Sequence, residues 1–121
     1  MGKVIGVGGV FMACAEPEAT KRWYARVLGL EVDPDGGFSF SFPHQETAKA
    51  FPQGARTVFT PFAAGSDYFK PSTQLFMVNL IVDDLDAVLA RCAVEGVAQV
   101  QPMETYDYGR FAWIMDPDGR K

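Results

Sequence analysis

The sequence is poor in the residues that hold metal ions and disulfide frameworks. It has one His and two Cys among 121 residues. Cys14 and Cys92 belong to no CxxC motif, so zinc, redox chemistry and a disulfide framework are not indicated. Cys92 falls on an apolar helical stripe and is expected to be a buried small hydrophobe, while nothing near Cys14 indicates a reactive thiol. His44 follows a proline in the polar segment 43–53, and we interpret it as a solvated loop residue.

Positive charge and long apolar runs are also scarce. The 11 Lys and Arg are outnumbered by 15 Asp and Glu, and the net charge is −4. An acidic chain without a basic stripe is repelled by phosphates, which excludes nucleic acid as an expected partner. No apolar run approaches the ~20 residues that span a bilayer, and the first residues lack a secretory signal pattern. We therefore expect a cytoplasmic protein with no membrane partner.

Aromatic residues are what the sequence has in excess. Ten Phe, four Tyr and two Trp make 13% of the chain, within an apolar fraction of 48%. A chain of this length and composition is expected to be one globular domain, residues 1–121. No nucleophile-elbow pattern occurs, so no catalytic residue is assigned.

The chain reads as two halves with the same order of elements, divided at about residue 66. In the first half, residues 4–13 suit a strand and Glu16-Pro17-Glu18 has the signature of a helix start. Apolar residues at spacings of three and four follow, and Gly29 is expected to end the helix before another strand. In the second half, strand 75–82 precedes a helix that starts near Asp83 and ends at Gly96. Both helix ends repeat after 67 residues, which indicates a duplicated strand–helix–strand unit.

Further strands are predicted after each unit. Phe38, Phe40 and Phe42 alternate with serines, and residues 56–62 form another strand candidate. Phe111, Trp113 and Met115 alternate in the second half, and Asp116-Pro117-Asp118-Gly119 has the composition of a turn. The expected architecture is α+β, with helices packed on one side of curved sheets.

Three segments together carry a family resemblance: residues 19–32 (ATKRWYARVLGLEV), 82–87 (VDDLDA) and 109–119 (GRFAWIMDPDG). They resemble the vicinal oxygen chelate superfamily, which includes glyoxalase I, the bleomycin-resistance proteins and the extradiol dioxygenases. The resemblance implies paired βαβββ modules, about 1–66 and 67–121, whose curled sheets form a cupped cavity, commonly in a homodimer. It also implies one more strand after Lys121, so that the last strand is truncated here.

The resemblance implies where a metal would bind, and the residues there are unsuitable. The family's ligand positions on the first strand of each module fall on Gly9 and Met77. Glycine has no side chain, and a thioether is a poor ligand for hard cations. A further family ligand, a Glu in the final strand, would lie beyond Lys121. We therefore expect no metal or other cofactor, with a divalent metal as the alternative.

The aromatic residues suggest an apolar pocket for a flat small molecule. Phe11 and Asn79 are expected to face the cavity, because each lies two strand positions from an implied ligand position. Arg110 and Trp113 lie on opposite faces of one strand, so at most one of them faces the cavity. Loop tyrosines, including Tyr106 and Tyr108, could rim its mouth. The candidate ligand-binding residues are Phe11, Phe59, Tyr68, Met77, Asn79, Arg110 and Trp113.

Two functions lead at this point, ahead of a sensor or interaction module whose ligand alters a partner. The first is a metal-independent binder of a hydrophobic or aromatic small molecule, as in drug-sequestering relatives, with the acidic balance favouring a cationic one. The second is a metal-dependent lyase, isomerase or dioxygenase of the vicinal oxygen chelate type. The shared fold does not choose between them, since the superfamily supports many chemistries on one scaffold.

Overall fold

The structure is a computed structural model, and it describes residues 2–33 and 39–121. These two ranges contain three α-helices, one 3₁₀ turn and one β-hairpin. In chain order these are α1 (Pro17–Leu28), α2 (His44–Ala50), the 3₁₀ turn (Asp67–Phe69), α3 (Leu85–Val94), β1 (Gln101–Tyr106) and β2 (Gly109–Trp113). The domain is therefore α+β, with a sheet that does not close. No helix in the described ranges has both the length and the apolar character needed to cross a membrane.

Helix α1 begins and ends where the sequence predicts. Pro17 occupies the first turn, where its missing N–H costs no hydrogen bond, and Glu18 complements the positive end of the helix dipole. Gly29 ends the helix at φ 73°, and its N–H donates to the carbonyl of Ala25 at 3.1 Å. This left-handed conformation disfavours residues with a Cβ, which explains the glycine.

Helix α3 is capped by a side chain and packs against α1. Asp84 Oδ1 accepts a hydrogen bond from the backbone N–H of Ala87 at 3.0 Å. Val27 of α1 and Cys92 of α3 are both fully buried, so the prediction of a buried Cys92 is confirmed. Arg91 Nε also donates to the carbonyl of Val27 at 2.8 Å, which joins α3 to the last turn of α1.

The two strands form an antiparallel hairpin around a tight turn. Tyr106 pairs with Gly109 beside the turn, and Gln101 pairs with Trp113 at the open end. A shift in register lies between Gln101 and Glu104, where β1 bulges. Trp113 completes the small apolar core, whereas Arg110 at the start of β2 is exposed.

Several predicted strands do not form in the single chain. Segments 4–13, 56–62 and 75–82 carry no strand, and large side chains on them are left in solvent: Phe11 is 93%, Phe59 85% and Leu75 91% exposed. The prediction of strands was wrong for these segments in this structure, because β-propensity favours a strand only when a partner supplies hydrogen bonds and packing. Paired modules and a cupped cavity are accordingly not confirmed.

Two further segments differ from expectation or lie outside the described residues. The segment 43–53 contains helix α2, so the prediction of a loop was wrong and His44 is the first residue of a helix. Its sequence HQETAKA has good helix formers, and Lys49 pairs with Glu46 one turn earlier at 3.0 Å. Phe40 forms an isolated bridge with Val32, whereas Phe38 lies outside the described residues.

Candidate ligand-binding site

Aromatic rings gather along one side of the hairpin and on the 3₁₀ turn. We call them the aromatic face: Phe62, Tyr68, Tyr106, Tyr108, Phe111 and Trp113. Phe111 and Trp113 are two residues apart on β2 and therefore point to the same side of the strand. Their ring centroids are 6.4 Å apart, with planes inclined by 27°.

The hairpin turn carries the most exposed part of the aromatic face. The rings of Tyr106 and Tyr108 are parallel within 2°, with centroids 5.1 Å apart. Phe111 meets both rings edge-on at 6.0 and 5.9 Å. Tyr108 is 78% exposed, so this part of the face is a platform open to solvent and not an enclosed pocket.

The 3₁₀ turn supplies the other end of the aromatic face. Tyr68 stacks on Phe62 with centroids 5.1 Å apart and planes inclined by 16°. Ser66 caps the turn, because its Oγ accepts a hydrogen bond from the backbone N–H of Tyr68 at 3.2 Å. Both rings remain partly exposed, which leaves their surfaces accessible to a ligand.

Lys121 joins the two ends of the aromatic face. Its Nζ lies 5.3 Å from the ring centroid of Tyr68 and 5.8 Å from that of Trp113. The same ammonium donates to the carbonyl of Tyr68 at 2.7 Å and to Gln101 Oε1 at 2.5 Å. Burial lowers the pKa of Lys121, and the nearby charge of Glu104 opposes that shift. Two rings of the aromatic face therefore lie beside a buried cation.

The turn before Lys121 is held in place by Asp116. Its Oδ1 accepts from the backbone N–H groups of Asp118 and Arg120 at 2.8 and 2.9 Å. Its Oδ2 accepts from the Tyr24 hydroxyl and from Arg120 Nη1, both at 2.7 Å. Burial alone would raise the pKa of Asp116, but these hydrogen bonds, the one from Tyr24 first among them, give a net lowering.

Other contacts fix the same turn to distant parts of the chain. The Thr20 hydroxyl donates to Asp118 Oδ2 at 2.6 Å, and Arg120 Nη2 donates to the carbonyl of Ala13 at 2.5 Å. The Ser72 hydroxyl donates to the carbonyl of Gly119 at 2.5 Å. These bonds hold the backbone that positions Lys121 against the aromatic face.

The structure brings together two of the seven candidate residues predicted from the sequence. Tyr68 and Trp113 meet through Lys121, as described above. Arg110 instead forms a bidentate ion pair with Asp86 of α3, at 2.8 and 3.2 Å, on the opposite side of β2. The remaining candidates lie on the unpaired segments: Phe11, Phe59, Met77 and Asn79. A ligand-binding role stays a prediction for all seven.

The residues implied as metal-ligand positions do not fit a hard cation. Gly9 offers no side chain, and a Cβ built there would lie 3.2 Å from Cζ of Phe11. Met77 offers only a thioether. Within residues 2–33 and 39–121, no three His, Cys, Asp or Glu side chains gather into a group that could hold a metal ion.

Sequence reasoning missed three members of this site. Phe62 and Phe111 were predicted only as strand residues. The spacing of Phe111 and Trp113 nevertheless places these two side chains on one face of the strand. The burial of Lys121 could not be predicted from the sequence, because a lysine after a polar turn is usually solvated. Its contacts with Tyr68 and Gln101 span 53 and 20 residues of sequence, which a local pattern does not reveal.

Comparison with known proteins defines the family. The family model described as the glyoxalase-like domain matches residues 9–121. The chain therefore belongs to the glyoxalase-like domain family, which confirms its resemblance to the vicinal oxygen chelate superfamily. No curated protein and no solved structure matches the chain.

Proposed function

We propose that this glyoxalase-like protein binds a planar aromatic small molecule on the aromatic face, without a metal ion. The observation that supports the proposal is the grouping of six rings, of which Phe62, Tyr68, Tyr106 and Tyr108 keep exposed surface. Aromatic pairs contribute about 0.5–1.5 kcal/mol each beyond the area they bury, so several exposed rings give a flat ligand a favourable surface. A planar ligand adds to the stack without rearranging the hairpin.

The preferred charge of the ligand depends on the charges at the aromatic face more than on the net charge of the chain. The overall balance of −4 favours a cation at long range. On the aromatic face, however, the space between Tyr68 and Trp113 already holds the ammonium of Lys121. A cationic ligand would be repelled at this point, so the proposal is for a neutral or anionic aromatic compound.

The binding test uses 2-naphthamide, a flat neutral probe. We expect saturation-transfer NMR to detect binding at about millimolar concentration or below, and Tyr68→Ala and Tyr108→Ala each to weaken it about fivefold or more. Phe51→Ala is the matched control, since Phe51 is an exposed aromatic residue at the end of α2. No binding to the wild-type protein, or equal loss in all three variants, would overturn the proposal.

The metal-independent part of the proposal rests on the unsuitable side chains at Gly9 and Met77. Elemental analysis of the purified protein tests it directly. We expect less than about one tenth of an equivalent of Ni, Zn, Fe, Mn or Mg, and no thermal shift when these ions are added. A stoichiometric ion, or marked stabilisation by one of them, would favour a metal-dependent lyase, isomerase or dioxygenase instead.

We also propose that the chain forms a homodimer through its unpaired segments. Ile5, Phe11 and Leu75 are large apolar side chains left almost wholly in solvent, on stretches with unpaired backbone groups. A second copy can supply both the hydrogen bonds and the apolar cover. Light scattering should give a mass near twice 13.3 kDa. Ile5→Lys should shift it towards the monomer, whereas Lys49→Gln on α2 should not; a monomeric wild-type protein would contradict the proposal.

A further inference from the structure

Lys121 differs from the other cationic side chains in the described part of the chain. Only Lys121 and Arg120 among these cations are buried, with Lys121 8% exposed. Arg120 lies 2.7 Å from Asp116 and 3.4 Å from Asp118, whereas no carboxylate of residues 2–33 or 39–121 forms an ion pair with Lys121. A buried ammonium without a counter-ion is unfavourable, because removing the charge from water is compensated only by an opposite charge with good geometry.

The hydrogen bonds of Lys121 leave one donor for a ligand. An ammonium has three N–H groups. Two are used by neutral acceptors, the carbonyl of Tyr68 and Oε1 of Gln101. These two acceptors fix the position of the nitrogen without neutralising its charge. The nitrogen lies 5.3 Å from the ring centroid of Tyr68, which is 41% exposed, so it is held beside a surface on which a flat molecule would stack.

We propose that Lys121 binds the anionic group of an aromatic ligand, so that the ligand class is a planar aromatic compound bearing a carboxylate or a similar oxyanion. This inference rests on the proposed function, because it needs the rings to hold the rest of the molecule. An ammonium–carboxylate hydrogen bond is a charge-assisted contact, roughly twice as strong as a neutral one. In a buried position it is also less screened by salt than a surface pair.

The test compares three probes of the same size and different charge: 2-naphthoate, 2-naphthamide and 2-naphthylmethylammonium. We expect the wild-type protein to bind 2-naphthoate about tenfold more tightly than 2-naphthamide, and the ammonium probe most weakly. Lys121→Gln should reduce the preference for 2-naphthoate over 2-naphthamide to about twofold or less. Lys121→Arg should keep the preference, since it keeps the charge. Lys49→Gln is the matched control, because Lys49 lies on α2 and pairs with Glu46.

The pH dependence of probe binding separates the effect of the charge on Lys121 from the effect of the shape of the ligand. The 2-naphthoate affinity should fall as the pH rises through the lowered pKa of Lys121, and the 2-naphthamide affinity should not. Equal affinity of the wild-type protein for 2-naphthoate and 2-naphthamide would overturn the role of Lys121 and leave the proposed function standing. Equal weakening of all three probes in Lys121→Gln would assign the residue to folding only. No binding of any probe would overturn both proposals.

Discussion

The hydroxyl of Tyr24 donates a hydrogen bond to Oδ2 of Asp116 at 2.7 Å, across 92 residues of sequence. The contact joins helix α1 to the turn that carries Arg120 and Lys121. Burial and the neighbouring carboxylate both raise the pKa of Tyr24, so the phenol remains protonated and keeps donating. Helix α1 therefore takes part in positioning the cation of the aromatic face.

Tyr24→Phe removes that hydrogen bond without leaving a large cavity. The buried carboxylate of Asp116 loses one of its donors, and we expect the free energy of unfolding to fall by about 1–3 kcal/mol. Urea denaturation followed by circular dichroism measures the change. Tyr108→Phe is the control, because its side chain is largely exposed, and it should change stability by less than about 0.5 kcal/mol. Similar effects of the two substitutions would argue against a structural role of the contact.

The net lowering of the pKa of Asp116 predicts a loss of stability in acid. Its contribution is fully present above the ordinary value of 3.8 and is lost as the pH falls through the lower value of the folded protein. We expect the free energy of unfolding of the wild-type protein to decrease below about pH 4. Asp116→Asn should be less stable near neutral pH and should show a flatter decrease in acid.

The effect of salt on stability distinguishes the carboxylate of Asp116 from the exposed carboxylates. Lys70 lowers the pKa of Asp67, and Arg110 lowers that of Asp86, but both carboxylates are exposed. Their contributions should shrink in about 0.5 M NaCl, whereas that of Asp116 should persist. Equal acid slopes for the wild-type protein and Asp116→Asn in this salt would contradict the assignment.

The helices could be predicted from the sequence because their signals are local. Pro17 and Glu18 mark the start of α1, and glycines at 29 and 96 both adopt positive φ, at 73° and 74°. Helix α2 was missed because its polar sequence has no apolar period to detect. Strand 75–82 was predicted from the local sequence and the repeated order of elements, neither of which provides a pairing partner.

The candidate site could be predicted only in part. Trp113 and Tyr68 were identified because large aromatic residues are frequent in ligand sites. The position of Lys121 depends on the contacts of Arg120 with Asp116 and with the carbonyl of Ala13, which lies 107 residues away. Such contacts follow from tertiary packing, and no spacing in the sequence encodes them.

Gly29 and Gly96 form a matched pair for testing the end of α1. Both adopt positive φ, so alanine at either position should cost about 1–2 kcal/mol of backbone strain. A Cβ at Gly29 would also lie 2.8 Å from Arg91 Nη2, whereas a Cβ at Gly96 would meet nothing within 4 Å. We expect Gly29→Ala to cost up to about 1.5 kcal/mol more, because the Arg91 guanidinium must shift and its hydrogen bond to the carbonyl of Val27 is weakened.

Combining Gly29→Ala with Arg91→Ala tests the cause of that difference. If the extra cost comes from displacing Arg91, the glycine substitution should cost the same as Gly96→Ala once the arginine is absent. Chemical denaturation of the four variants and the wild-type protein gives the required free energies. If Gly29→Ala still lowers the free energy of unfolding more than Gly96→Ala does when Arg91 is absent, the extra loss comes from the backbone of α1.

Trp113→Ala tests whether this residue belongs to the core or to the ligand surface. Trp113 is buried, and its loss should leave a cavity that costs about 3–5 kcal/mol. Tyr108→Ala is the comparison, since an exposed ring should contribute little to stability but should matter for binding 2-naphthamide. A loss below about 1 kcal/mol in Trp113→Ala, together with lost binding, would instead mark Trp113 as a ligand-contacting residue.

Arg110→Gln tests the candidate residue that the structure holds on the other side of β2. The guanidinium donates to Asp86 Oδ1 at 2.8 Å and to Oδ2 at 3.2 Å, and it also contacts Met103. Because this ion pair is exposed, we expect only a small loss in the free energy of unfolding. The affinity for 2-naphthoate should stay within about twofold of the wild type, since Lys121 and not Arg110 faces the rings. A fall as large as that of Lys121→Gln would mean that Arg110 leaves Asp86 when the ligand binds.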